Sequence, residues 1–269
     1  MNLAVSSLAW DPSRDDEVRI LLSSRGVRGV EIAPLKYWPG VTDVSPRVLR
    51  VFRETWEDAG ISIVALQGIL FDMPELQLFG APPQQDAFES HVGAVCRLAG
   101  TLGAQAVVLG APKNRIRGSL GEEAAIAAAS PLLRRIASVA DEAGTVLCVE
   151  PTPPRYGGDF VRNSPEALHL VRAVDHPGFG LHLDAGALEI SAEADEVALE
   201  AARAARHFHI SEIDLVPVGS GTVRHEKLGA LLGQAGYVGW TSIEMRPVPG
   251  SDLLGALDRA IDVARVAYP

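Results

Sequence analysis

Two cysteines in 269 residues are too few for a disulfide framework or a cysteine-built zinc centre. Cys96 and Cys148 fall in apolar segments patterned as a helix and a strand, which predicts buried free thiols rather than a disulfide or a metal pair. Basic charge is also scarce, since 24 Lys plus Arg face 34 Asp plus Glu for a formal net charge of -10. Such a chain lacks the basic face that gives affinity for nucleic acid or an anionic membrane, so neither is expected as a partner. No run reaches the roughly 18 apolar residues of a membrane span. The opening MNLAVSSLAW lacks the basic start and long apolar stretch of a signal peptide, so a cytoplasmic location is expected. No G-x-G-x-x-G follows the first apolar run, and no Ser/His/Asp or Cys/His nucleophile motif appears.

What is there is a globular composition, 47% hydrophobic and 22% charged, with no linker or charge block to divide it. Short β-rich runs alternate with longer helical patterns throughout. Strands are predicted at Leu3–Ala9, Val27–Ala33, Ile61–Leu66, Ala106–Gly110, Thr145–Glu150, Phe179–Asp184, His207–Ser211 and Thr241–Met245. The clearest helical spacings cover Pro46–Ala59, Gln85–Leu102 and Ala124–Ala143, with Gly60, Gly103 and Gly144 placed as helix C-caps before the next strand. Eight βα units in a chain of this length close most naturally into one α/β domain over residues 1–269, a (β/α)8 TIM barrel. An open doubly wound sheet is the alternative.

Barrel enzymes gather their sites at the C-terminal ends of the strands, so the polar residues that end apolar runs matter most. VLCVEP ends on Glu150, GLHLDAG on Asp184, HFHISE presents His209 and SIEMRP presents Glu244. A single such carboxylate is explained equally well by an ion pair, but four equivalent positions on consecutive strands point to a cation. Three carboxylates and an imidazole make a hard, mixed O/N set suited to one divalent ion, Mn2+ first, with Mg2+, Co2+ or Zn2+ also fitting.

These motifs, VEPTPPRYGGDF, HLDAG, HFHISE and GYVGWTSIEMRP, resemble those of the xylose-isomerase-like sugar phosphate isomerase/epimerase superfamily. That group includes ketose 3-epimerases, hydroxypyruvate isomerase, inosose dehydratase and endonuclease-IV-type repair enzymes. The resemblance implies that Glu150, Asp184, His209 and Glu244 are the metal ligands and that Glu150 and Glu244 are also the catalytic acid/base pair. It implies isomerisation or epimerisation of a small polyhydroxylated carbonyl substrate, a sugar or sugar phosphate, through a metal-bound enediolate. Barrels of this group often dimerise or tetramerise, so a homo-oligomer is compatible with the resemblance. Two departures stand out. Ala185, Gly186, Ala187 and Leu188 occupy the segment where ketose 3-epimerases carry a sugar-contacting His, and where they carry an Arg a few residues beyond the strand-seven His, His209 is followed by Ser211, Glu212, Ile213, Asp214 and Leu215. Elimination from a keto-inositol or keto-glycoside is therefore a competing activity, and a non-catalytic metal-binding barrel a second competitor.

Further candidates for substrate binding lie at the expected mouth. Glu31 ends the second strand, and its alternative is pairing with a neighbouring barrel cation. Lys113, Arg115, Arg155 and Arg246 could meet a phosphate or carboxylate, or simply neutralise the acidic cluster. His182 is in strand phase with Asp184, and His207 with His209. His225 could position substrate or cap a helix. Trp10, Trp38 and Phe71 could wall a sugar pocket, with Lys36 and Tyr37 near its entrance, and His91, His169 and His176 read as surface residues.

Overall fold

The computed structural model describes residues 2–247 and 252–268. Eight parallel strands form a closed barrel in sequence order: β1 Asn2–Ser6, β2 Gly29–Ile32, β3 Ser62–Leu66, β4 Ala106–Leu109, β5 Val146–Val149, β6 Phe179–Asp184, β7 Ala205–Ser211 and β8 Trp240–Glu244. β8 returns to β1 with Asn2 opposite Trp240 and Val5 opposite Ile243, which closes the sheet. The helices are α1 Asp15–Ser24, α2 Pro46–Glu57, α3 Pro82–Leu102, α4 Glu122–Glu142, α5 Ser164–Val174, α6 Ala185–Ser191, α7 Asp195–Ala204, α8 His225–Ala235 and α9 Leu253–Ala267. Among the described residues, no helix is long and apolar enough to cross a membrane.

Strand alternation sorts the core into two compartments. Residues such as Val5, Val30, Ile32, Leu147, Leu181, Phe208 and Ile243 face outward and join the helices in one large apolar cluster. Ala4, Val64, Ala65, Ala106 and Cys148 form a small separate cluster in the lumen, with Val146 and Trp240 against it. Above that floor the same phase becomes polar: Ala4 is followed by Ser6, Cys148 by Glu150, His182 by Asp184, His207 by His209 and Ser242 by Glu244. The lumen therefore changes from small and apolar at the bottom to ionisable at the C-terminal mouth.

All eight predicted strands are present, and the differences are at their ends. β1 stops at Ser6 because the Ser6 hydroxyl accepts the Leu8 N–H and caps a 3-10 turn over Ser7–Ala9. The third helix begins at Pro82, earlier than its apolar spacing suggests, because proline at the first helical positions needs no N–H partner. Gly103 follows that helix at φ 79°, the left-handed turn a C-cap glycine supplies. Cys96 and Cys148 are buried free thiols, and burial pushes both up to about 12.

Candidate metal centre

Strand register brings the strand-end residues together. Asp184 lies opposite His209, His209 opposite Ser242, and Ser211 opposite Glu244. Asp184, His209 and Glu244 each offer a ligand atom within 4.8 Å of the others. Glu150, just past the end of β5, falls outside that trio yet is half-buried beside it. There is room for its carboxylate because Gly110 has no side chain; a Cβ at Gly110 would run into Glu150 Oε2.

The imidazole of His209 is held in one orientation. Its Nε2 lies 3.0 and 3.1 Å from the two oxygens of Glu31, a fully buried carboxylate reaching across from β2. Its Nδ1 lies 3.2 Å from Glu244 Oε2 but makes no hydrogen bond. Nε2–H donating to Glu31 points Nδ1 at Asp184 and Glu244, the arrangement by which a carboxylate fixes a ligand histidine. Asp184 is fixed as well: Oδ1 accepts the Ala187 N–H at 2.7 Å, and Oδ2 accepts a short hydrogen bond from the Ser211 hydroxyl. Ser211 also accepts from Gly186 N–H at 3.0 Å. Ser211 escaped the sequence reading, although its position two residues after His209 places it in the same strand phase.

The electrostatics are those of a site short of positive charge. Burial, then the neighbouring charges of Asp184 and Glu244, raise Glu150 to about 8. Burial, then Glu244, raises Asp184 to about 6. Burial disfavours a charged His209, but Glu31 and Glu244 outweigh it and hold its pKa well above the usual imidazole range. Burial likewise opposes ionised Glu31, and His209 with His207 overcomes it. An orphaned, correctly aimed Nδ1 among three crowded carboxylates fits a divalent cation.

Other expected site residues lie elsewhere. Glu31, expected at a substrate hydroxyl, is committed to His209, with Gln67 Nε2 at 3.5 Å and His207 Nε2 at 3.4 Å. Arg115, expected at the rim, is 1% exposed, and its guanidinium donates to the carbonyls of Gly110 (2.7 Å), Phe160 (2.9 Å) and Glu150 (2.6 Å) and to Thr152 Oγ1 (2.5 Å). It ties the ends of β4 and β5 to the following loop and spends four of its five N–H donors there. Burial lowers it only to about 10, so it stays charged at neutral pH. Arg115→Met removes the donor to the Gly110 and Phe160 carbonyls and is expected to lower Tm by about 10 °C. Breaking a buried charged network costs about 3–5 kcal/mol, and each kcal/mol moves Tm about 2–4 °C at this size. A melting curve matching wild type would show that the loop needs no such tie.

His225 is also spoken for, with Nε2 3.0 Å from Glu212 Oε1 and Nδ1 2.9 Å from Tyr268 Oη, so it anchors the loop after β7 rather than substrate. Arg155 is exposed and already paired with Asp214 at 2.6 Å. Lys113 and Arg246 are exposed, and neither side chain makes an ion pair among the described residues. His182 is fully buried beneath Asp184. Trp10 is buried, donating to Asp15 at 2.7 Å; Trp38 packs on Tyr37 and Phe52; Phe71 is exposed. Lys36 donates to the Ser7 carbonyl at 2.7 Å, and Tyr37 to Asp15 at 2.9 Å. His91 and His176 are half-buried rather than superficial, bonded to the Ile69 carbonyl and to Gly178 N–H respectively.

Comparison with known proteins agrees with this architecture. A family model described as xylose isomerase-like TIM barrel matches residues 20–265. No curated protein is matched by sequence. Among solved structures, D-psicose 3-epimerase with D-tagatose from Clostridium cellulolyticum H10 superposes with TM-score 0.81 at 16% identity, covering 99% of each chain. The 3-keto-D-glucoside 4-epimerase YcjR from E. coli gives 0.79 at 16%, covering 99% of this chain and 98% of that one. The IolI protein with a bound zinc atom gives 0.76 at 17%, covering 100% and 99%. At these identities the likeness is one of fold, whereas the family match spans most of the sequence, and the chain belongs to the xylose isomerase-like TIM barrel family.

Proposed function

We propose that the protein is a divalent-metal-dependent isomerase or epimerase of a small polyhydroxylated carbonyl compound. Glu150, Asp184, His209 and Glu244 hold the ion, and Glu150 and Glu244 exchange the proton. The observation that carries this reading is the partnerless His209 Nδ1 facing Asp184 and Glu244, with its other nitrogen fixed by Glu31. The oxygen-rich donor set favours Mn2+, with Mg2+, Co2+ and Zn2+ also accepted. When bound, the ion supplies an electrophile that acidifies the C–H beside a carbonyl. Glu150 and Glu244 come from β5 and β8, three strands apart, so they approach a bound substrate from different sides. One removes the proton and the other returns one to the opposite face or the neighbouring carbon. Asp184 and His209 serve to hold the ion. The solved neighbours' own names, a psicose 3-epimerase and a keto-glucoside 4-epimerase, describe this class of chemistry.

A specific observation keeps elimination in view. After Asp184 the chain turns at once into α6, whose buried Ala185, Gly186, Ala187 and Leu188 offer no polar side chain to a sugar. Beyond His209, Ser211 is bound to Asp184 and Glu212 to His225. Hydroxyl recognition must come from elsewhere at the mouth, where Lys113 and Arg246 remain candidates for an anionic group. A substrate with a leaving group β to the acidic carbon would then lose it from the same site.

Incubating metal-free and Mn2+-loaded protein with ketoses and keto-inositols in D2O tests both readings. Metal-dependent deuterium uptake beside the carbonyl is expected; conserved product mass means isomerisation, and loss of a fragment means elimination. No exchange with any of them would leave a non-catalytic barrel. Glu31→Gln is further expected to weaken divalent-ion affinity about 10- to 100-fold, the usual cost of losing a histidine-orienting carboxylate. Unchanged affinity by calorimetry would show that the Glu31 contact does not set the orientation of His209.

A further inference from the structure

Asp184 and Glu244 end their strands yet are only 7% and 8% exposed, so something covers the mouth above them. The cover is the chain that follows His209. A 3-10 turn over Ile213–Leu215 packs against α6, the segment directly after Asp184. From the loop after β5, Arg155 Nη2 reaches Asp214 Oδ2 at 2.6 Å, and Tyr156 Oη accepts the Asp214 N–H at 3.2 Å. From the end of β8, the Arg246 N–H donates to the Leu215 carbonyl at 2.8 Å. The turn is thus fastened to the segments that follow Glu150, Asp184 and Glu244, the three other proposed ligands.

Its backbone is strained. Asp214 and Leu215 have φ of 60° and 57°, a left-handed pair with no glycine to relieve it. The ion pair that holds the turn down is weak, because the Arg155 and Asp214 side chains are 56% and 51% exposed and water screens them. The base of the same loop is firm. Buried Glu212 accepts the N–H groups of Gly219 at 3.0 Å and Val223 at 3.1 Å and meets His225 Nε2 at 3.0 Å. A strained tip on a fixed base, with a weak fastening, is poised between two positions. On the reading of the strand-end residues as a metal centre, we propose that this tip is a gate over it, latched by Asp214 to Arg155 and Tyr156 and opening to admit ion and substrate. Neither Arg155 nor Asp214 is a proposed ligand, so unlatching changes how fast an ion comes and goes, not how tightly it is held.

Stopped-flow measurement of Zn2+ uptake by metal-free protein, and of its release to a chelator, tests the gate. Arg155→Gln and Asp214→Asn are each expected to speed both uptake and release up to about fivefold, the upper range for an exposed ion pair, with Kd unchanged. The double variant is expected to go no further than either single one, since both break the same latch. Asparagine tolerates left-handed backbone, so Asp214→Asn keeps the turn. Charge steering alone would give opposite signs, because losing Arg155 speeds the entry of a cation and losing Asp214 slows it. Opposite signs, or wild-type rates in both variants, would overturn the gate. Hydrogen exchange in metal-free protein reads the same opening without an ion: the Asp214 and Leu215 amides are expected to exchange faster in both variants, while Gly219 and Val223, held by Glu212, stay as in wild type. Wild type that takes up no Zn2+ would overturn the metal centre instead, and exchange at Asp214 and Leu215 unmoved by either substitution would still overturn the gate.

Discussion

Glu150→Gln and Glu244→Gln are each expected to lower turnover at least about 100-fold, the low end for loss of a general acid or base. Near wild-type turnover in either variant would remove that residue from the proton exchange. Glu150→Gln carries a second signature of opposite sense. In the metal-free protein Glu150 is raised from 4.5 to about 8, so the folded state holds this proton more tightly than the unfolded chain. The stability that the proton confers is complete below the unfolded value of 4.5 and is lost as pH rises towards 8. Glutamine never ionises. The variant should therefore melt at the same temperature as wild type near pH 4.5 and above it at pH 8, while losing activity. A variant less stable than wild type at pH 8 would show that Glu150 is not held against repulsion.

Metal affinity should fall steeply as the solution is acidified. An ion entering the centre displaces the proton of Glu150 below pH about 8 and that of Asp184 as well below about 6. Affinity is then expected to drop at least about tenfold per pH unit between those values and at least about 100-fold per unit beneath them, one decade for each proton displaced, and the raised His209 must also give up its Nδ1 proton to the ion. From pH 8 to pH 5 the two carboxyl protons alone amount to about four decades. Ion-induced stabilisation follows: at 100 times Kd it is about 2.7 kcal/mol, or roughly 5–11 °C in Tm. Calorimetric titrations at several pH values in buffers of different ionisation enthalpy measure both the affinity and the proton count. Affinity independent of pH from 8 to 5 would mean that the carboxylates do not bind the ion.

The barrel and its strand-end residues were legible because both depend on local pattern. A run such as VLCV must be buried on both faces, and the acid that ends it must lie at the rim. Pairings across the lumen were not legible. Glu31 and His209 are 178 residues apart, and nothing in GVEIAP distinguishes a carboxylate for a hydroxyl from one for an imidazole. Arg115 misled for a related reason: in GAPKNR it reads like its neighbour Lys113, and only the loop that brings the Phe160 carbonyl over it makes it a buried tie. His225 is met by Tyr268 from the far end of the chain, a contact without local sequence signal.

The long reach of Glu31 has a consequence for how the site comes into being. All four proposed ligands lie between residues 150 and 244, within four consecutive units that could collapse together early, since their contacts are comparatively local. Glu31 arrives on β2, which meets this half through β1 and the seam with β8 on one side and through β3 and β4 on the other. A partly folded C-terminal half would hold its histidine unoriented and grip an ion weakly, and full affinity would appear only as the seam closes. On the proposed ligand set, ion capture in this barrel would be a late folding event, and nascent or seam-opened chains would compete poorly for metal with finished ones.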